Sequence, residues 1–220
     1  VVQLVIFNCM TLLNHFFAGS IQVFLTNILD LDRDLFLKIN NSWTNSFFDN
    51  VFPWWRDAST WMPLYLFLLL FIFINFGWKA WPWLLTLIIT VSLTDQLSSN
   101  LLKNWVNRPR PCNDETLWMH VHLLINRCPS SGSFPSSHAT NHFGVAFFLY
   151  ITLHKYLGKW SLLFFVWAAT ISYGQVYVGV HFPLDIIGGA IIGSIVGYLT
   201  SSFFIRRIGM PPLISVKKIE

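Results

Sequence analysis

Apolar residues run almost unbroken through five stretches of the chain: roughly Trp61–Trp78, Trp81–Leu102, His138–Tyr156, Trp160–Val180 and Leu184–Ile205. Each is long enough to cross about 30 Å of hydrocarbon as a helix. Trp61, Trp78, Trp81, Trp83, Trp105 and Trp160 fall near the ends of these stretches, where indole rings settle at a membrane interface. In the last stretch, Gly188, Gly189, Gly193 and Gly197 recur at helical spacing, which predicts a neighbouring helix packed close by. Upstream, Leu29–Phe48 (LDLDRDLFLKINNSWTNSFF) mixes charged and apolar residues at near-helical spacing and predicts an amphipathic helix on the membrane surface. Val1–Leu29 carries no Asp, Glu, Lys or Arg, yet contains Asn8, Asn14, His15 and Gln22. It fits either a sixth span or an extension at the interface. The predicted fold is all-α: an integral membrane bundle of five to six transmembrane helices with one amphipathic interfacial helix, in a single domain over 1–220.

Composition agrees. Hydrophobic residues make up 54% and charged residues 11%, with 21 Phe and 11 Trp, whereas a soluble domain is about a quarter charged. The net charge of +4 includes no basic arm or basic helix, so the chain offers nothing for nucleic acid and fits lipid headgroups or an anionic substrate. Cys9, Cys112 and Cys128 have no zinc-site spacing. With antiparallel spans, the connections Lys103–Ser137 and Gly179–Pro183 emerge on one side. Lys79, Lys155, Lys159, Arg206, Arg207, Lys217 and Lys218 collect on the other, which the positive-inside rule assigns to the cytoplasm. Lys103, Arg108, Arg110 and Arg127 break that rule and call for a chemical reason.

Three polar stretches converge on the outward side. In KNWVNRPRPC, Lys103, Arg108 and Arg110 lie within eight positions, stiffened by Pro109 and Pro111. Guanidinium forks match phosphate oxygens, although single cations at span ends are more often headgroup anchors. In FPSSHATNH, Pro135 precedes a helix whose start carries Ser136, Ser137 and His138, a ready anion site. His138 and His142 are also four apart, as a metal pair would be, but no carboxylate accompanies them. In YVGVHFPLDIIGG, Asp185 on the first helical turn can reach back to His181, fix its tautomer and leave the other ring nitrogen nucleophilic. A buried polar pair joining two spans would look the same. An oxyanion site, a nucleophile and an acid on one membrane face fit phosphoryl transfer without a metal cage.

In these motifs the chain resembles the type 2 phosphatidic acid phosphatase superfamily of membrane lipid-phosphate phosphatases, over about Leu29–Ile205. Lys103 with Arg110-Pro111 matches the family's first motif, and Pro135-Ser136-Ser137-His138 the second, with Ser in place of Gly. His181 and Asp185 match the third, but Gly174 and Gln175 stand where that motif carries Ser-Arg. TDQLSSNLLKNWVNRPRPCND is similar to small members from the Bacteroidetes lineage. The resemblance implies that His181 forms a phosphohistidine, Asp185 orients it, and His138 protonates the leaving oxygen. Lys103, Arg110, Ser136, Ser137 and, as a neutral donor, Gln175 would hold the phosphate. No metal and no cofactor are expected. Arg108, Asn141 and His142 lie near the motifs but match no motif position.

The expected substrate is a lipid phosphate or diphosphate, undecaprenyl diphosphate first, hydrolysed at the periplasmic face of a bacterial inner membrane. Phosphatidylglycerol phosphate, phosphatidic acid and lipid A phosphate are also candidates. A lipid phosphotransferase, or a non-catalytic scaffold or transporter on the same fold, are the alternatives. The oxidising outer compartment predicts a Cys112–Cys128 disulfide bracing the loop that bears Arg110, with Cys9 free. Asp95, mid-span, is read as a structural residue bonding Ser or Thr of a neighbouring helix, or as a water-bridged partner of Lys103.

Overall fold

The computed structural model describes residues 22–214. Cys9, most of the possible sixth span, Lys217 and Lys218 lie outside the described residues. Seven longer helices make up the fold among the described residues: α1 over 22–37, α2 Ser46–Trp55, α3 Met62–Phe76, α4 Trp81–Asp95, α5 Ser137–Leu157, α6 Leu163–Tyr177 and α7 Pro183–Arg207. The last five form the antiparallel bundle, and α1 and α2 lie against its polar end. Local chemistry sets the helix starts. Proline occupies the first turn of α3, α4 and α7, where its missing N–H costs nothing. Ser136 caps α5 with its hydroxyl. Gly77, at φ 67°, stops α3. Among the described residues two segments, Ala58–Phe76 and Pro183–Arg207, are long and apolar enough to cross a membrane.

The exterior of α7 shows what surrounds the bundle. Ile187, Ile191, Ile195, Leu199 and Phe203 form a row at i,i+4, each 52–59% exposed. Water would penalise such a stripe, whereas acyl chains accept it. The opposite face of α7 is glycine. A Cβ on Gly193 would overlap the carbonyl of Thr140, and one on Gly197 the carbonyl of Gly144, so α5 and α7 touch backbone to backbone. At the end away from the polar loops, Ile72, Trp83, Phe148, Leu149, Leu153 and Phe204 close the core. At the polar end, Phe36, Ile39, Leu117, Val176, Tyr177 and Phe182 seat α1 and the long loop on α6 and α7.

Two expectations change. The interfacial segment is not one helix: α1 ends in wide turns over Lys38–Ser42, and a new helix starts at Ser46 because the Asn45 side chain accepts the Phe48 N–H. The span from Trp81 is α-helical only to Asp95. It widens into π turns over Gln96–Leu102, then Lys103–Val106 closes it before Asn107, which sits at φ 45°. Such widening shifts the register of everything after it. Here it turns Lys103 into the protein, where its residue is buried.

Gly193→Leu is expected to lower the melting temperature of the detergent-purified protein sharply. Overpacking usually costs about 1–3 kcal/mol, and here the obstacle is backbone, which cannot rotate away. Ile191→Val, on the lipid-facing row, should leave it within about a degree or two, since surface changes stay near ±0.5 kcal/mol.

Candidate active site

The loop after α6 carries His181 into the protein, where it is 2% exposed. Its Nε2 lies 3.1 Å from Arg110 Nη1, and its Nδ1 lies 3.5 Å from Asp185 Oδ2. A guanidinium can only donate. The lone pair therefore belongs to Nε2, and the ring proton sits on Nδ1, facing the carboxylate. The Nδ1–Oδ2 gap is long for a hydrogen bond, yet short enough to stabilise an imidazolium. Burial is the main cause that pushes the His181 ring down to about 4, against the pull of the Asp185 carboxylate, so the ring is neutral at pH 7.

Asp185 is a junction. Its Oδ2 accepts the Phe182 N–H at 2.8 Å, capping its own helix, and its Oδ1 accepts from Arg108 at 2.8 Å. The Asp185 backbone carbonyl accepts the Ser136 N–H at 3.0 Å, which ties the start of α7 to the start of α5. Arg108 also donates to Asp32 and lies over the Phe182 ring, 4.1 Å from its centroid. Asp32, on α1, accepts the Leu184 N–H in turn. Arg108 is thus neutralised by two carboxylates and acts as a strut, so it is not a spare phosphate ligand.

Arg110 is held differently. It is buried and donates to Ser131 O, Ser131 Oγ and Val180 O besides His181. These acceptors are neutral, so its charge stays available to an anion. Burial pushes it down to about 10, still well above neutrality. Lys103 lies near enough to exchange charge effects with Arg110 and Asp185. Among the described residues it forms no ion pair; those pairs belong to Arg33, Arg108 and His181. A disulfide joins Cys112 to Cys128, with Cα atoms 6.0 Å apart, as the sequence predicts. Together with the Ser133 bonds to Arg108 O and Pro109 O, it fixes the loop that presents Arg110.

At the start of α5, the Ser136 hydroxyl caps the helix and Ser137 Oγ meets Ser99 Oγ at 2.9 Å. The first-turn N–H groups of Ser137 and His138 have no preceding turn to accept them. His138 lies near enough to Lys103 for that charge to bear on it. His142 donates from Nδ1 to the His138 carbonyl at 2.8 Å, so its free lone pair is on Nε2. Among the described residues, no three His, Cys, Asp or Glu side chains are grouped to hold a metal. Asp95 accepts from Ser99 at 3.0 Å and from Asn141 at 3.4 Å, so its direct partners are a serine of its own rod and an asparagine of α5.

Gln175 departs from expectation. It is fully buried, and its carboxamide oxygen accepts Arg56 Nε at 2.9 Å. An acceptor engaged this way is an anchor for a neighbouring cation. Arg56 and Asp32 both escaped the sequence reading: Asp32 lies in the interfacial pattern of Leu29–Phe48, and Arg56 lies in the connection before Trp61, which no motif reaches. The one hint was the uncharged residue at position 175.

Below this site a cavity of about 770 Å³ runs between α3, α4, α5 and α6. Met62, Tyr65, Leu87, Val91 and Leu149 line its shaft, while Asp95, Ser137, His138, Asn141 and His142 line its polar end. Leu66 and Ile88, also in its wall, are more than half exposed on the lipid-facing surface, so the cavity is open to the bilayer between α3 and α4.

Comparison with known proteins places the chain in a family. Residues 79–208 match the model of the PAP2 superfamily. The chain is 35% identical to the lipid A 4'-phosphatase of Bacteroides thetaiotaomicron over 173 residues, 77% of this chain and 75% of that protein. It is 38% identical to the undecaprenyl-diphosphatase of Sulfolobus acidocaldarius over 97 residues, 44% of this chain and 42% of that protein. The crystal structure of a transmembrane PAP2-type phosphatidylglycerolphosphate phosphatase from Bacillus subtilis superposes with a TM-score of 0.66 at 25% identity. The match covers 82% of this chain and 88% of that one.

Nitrogen-15 NMR of histidine-labelled protein in detergent should find one imidazole, lost in His181→Asn, that stays neutral until the pH falls to about 4. Titration of that ring near 6.5, the ordinary histidine value, would refute the buried geometry described here.

Proposed function

The chain belongs to the PAP2 superfamily and is a membrane lipid phosphate phosphatase, and from that premise we propose that it removes phosphate from an acylated lipid, lipid A phosphate first, through a phosphohistidine on His181. The observation that carries this reading is the position of the cavity. It reaches His138 and Ser137, while His181, Arg110 and Lys103 are absent from its wall. A phosphate seated between His181 and His138 would therefore point its lipid ester oxygen at His138 and run its acyl part down the shaft.

The chemistry follows. The His181 Nε2 lone pair attacks phosphorus, and the bond from phosphorus to the lipid oxygen breaks. Asp185 stabilises the positive charge that spreads to Nδ1–H. His138 gives its proton to the leaving oxygen, then takes one from water as that water attacks the phosphohistidine. The P–N bond breaks, inorganic phosphate leaves and His181 regains its lone pair. Lys103, Arg110 and the opening N–H groups of α5 hold the non-bridging oxygens, so no metal enters any step.

The polar end of the cavity bears on the substrate. Asp95, Ser137, His138, Asn141 and His142 line this end. The hydroxyl or amide groups of an acylated amino sugar close to the phosphate would find polar side chains there. The lipid A 4'-phosphatase relative, matched over three quarters of its length, supports the same choice. Undecaprenyl diphosphate is the second reading, supported by the shorter match to an undecaprenyl-diphosphatase. The site is assigned to the periplasmic side of a bacterial inner membrane. Lys79, Lys155, Lys159, Arg206 and Arg207 sit at the opposite end of the bundle, and the disulfide suits an oxidising compartment.

Purified protein in EDTA is expected to release phosphate from lipid A faster than from undecaprenyl diphosphate or phosphatidylglycerol phosphate. His181→Ala should abolish release. His138→Ala should slow it by about 10²–10⁴-fold and accumulate acid-labile phosphohistidine. Full turnover in His181→Ala would end this assignment, and transfer to a lipid acceptor without free phosphate would make the protein a phosphotransferase.

Val91→Trp, which plugs the shaft, should raise KM for lipid substrates at least tenfold and leave hydrolysis of p-nitrophenyl phosphate nearly unchanged. Equal losses on both substrates would mean that the cavity does not hold the lipid.

A further inference from the structure

Arg56 follows the last turn of α2, and its side chain is turned inward against α6. A Cβ on Gly174 would come within 3.1 Å of the Phe52 ring and 3.3 Å of Arg56 Cβ, so the bare backbone at 174 lets the end of α2 rest directly on α6. Next to it, the buried Gln175 accepts Arg56 Nε at 2.9 Å and its amide nitrogen lies 3.5 Å from Arg56 O. Gly174 supplies the room and Gln175 the anchor.

The charge held there has no carboxylate of its own. Asp57 is the acidic neighbour, but its Oδ1 accepts from Ser59 N and Ser59 Oγ. Among the described residues Arg56 forms no ion pair, and only its Nε is bonded, so the two terminal nitrogens are unengaged. Gln175 O accepts the Val180 N–H at 3.2 Å and Val180 O accepts Arg110, so the anchor of Arg56 adjoins the loop that meets Arg110, and the charge of Arg56 bears on both His138 and Arg110. Burial lowers the proton affinity of Arg56, yet a guanidinium keeps its proton at any working pH.

Three cations, Lys103, Arg110 and Arg56, thus belong to one end of the bundle; none forms an ion pair among the described residues, and the two guanidiniums are held by neutral groups. Gathering like charges away from bulk water is unfavourable unless an anion joins them. Arg108 provides the contrast, because two carboxylates neutralise it. We propose that Arg56, positioned by Gln175, is a phosphate-binding residue that gives the site its second free guanidinium. The helix bearing Gln175 supplies no cation to the site, and Arg56 reaches the same place from α2. This rests on the phosphatase reading above. It would contact non-bridging oxygens on the His138 side, where charge grows as the ester bond breaks.

The test is orthovanadate inhibition of the full detergent-purified chain, read beside its melting temperature. Arg56→Gln is expected to weaken vanadate binding by about 10–100-fold, the range for a lost charge-assisted contact, with a similar fall in kcat/KM. Gln175→Arg alone should also weaken it, because two guanidiniums then compete for one place. Combining the two, Arg56→Gln with Gln175→Arg, should recover most of the affinity, a reversal that loss of a merely structural contact would not give. If Arg56→Gln does not fold, Arg56→Lys keeps the charge without the fork and should weaken vanadate several-fold. Unchanged vanadate inhibition in whichever of these two folds, or failure of the double variant to improve on Arg56→Gln, overturns the proposal. Wild-type protein that releases no phosphate would instead refute the phosphatase reading, so the two failures are distinguishable.

Discussion

One buried carboxylate holds the polar end of this protein together. Asp185 caps its own helix through Phe182 N–H, balances Arg108, faces His181 Nδ1, and through its backbone carbonyl receives the Ser136 N–H. Through Arg108 it is linked to Asp32 and so to α1. Four separated segments meet at this point. A carboxylate away from water is tolerable only when its lone pairs are occupied, and these are. The same bonds that make its burial acceptable set the position of the His181 ring and the relative placement of α5 and α7.

Around that junction the protein sorts its cations into two kinds. Arg108 is neutralised and works as a strut between α1 and α7. Arg110, with Arg56 in the reading developed above, is held by carbonyl, hydroxyl and carboxamide oxygens, which orient a guanidinium without cancelling its charge. Donors fixed before the anion arrives need little reorganisation when charge develops, which is the main source of electrostatic catalysis. The disulfide and the Ser133 bonds serve the same end, since a loose loop could not keep Arg110 aimed at Nε2.

The lipid setting adds a division of space. The charges of the site gather at one end of the bundle, and the cavity beneath them is apolar in its shaft and polar only near His138. Two helices, α5 and α7, can bring the ends of this site together because Gly193 and Gly197 remove the side chains that would hold their backbones apart. Close packing in the bundle and reactivity in the loops therefore depend on one contact.

The sequence by itself determined the membrane class, the helical bundle and the presence of Arg110, His181 and Asp185 at its polar end. Hydrophobic runs, proline and glycine at helix ends, and ionisable residues in apolar surroundings are local signals with direct physical meaning. It also pointed to Cys112 and Cys128 as partners, because both lie in one loop on the outward side. Only the tertiary structure decided what each charge is for. Arg108 and Arg110 are two residues apart and alike in sequence, yet one meets two carboxylates and the other meets none. Gln175 reads as a weak phosphate donor until Arg56, over a hundred residues earlier in the chain, is seen against it. Asp32 sits in an interfacial pattern that gives no sign of its bond to Leu184 N–H. A side chain's local pattern records its own hydrophobicity and its helix, whereas its electrostatic role depends on neighbours that only folding brings near.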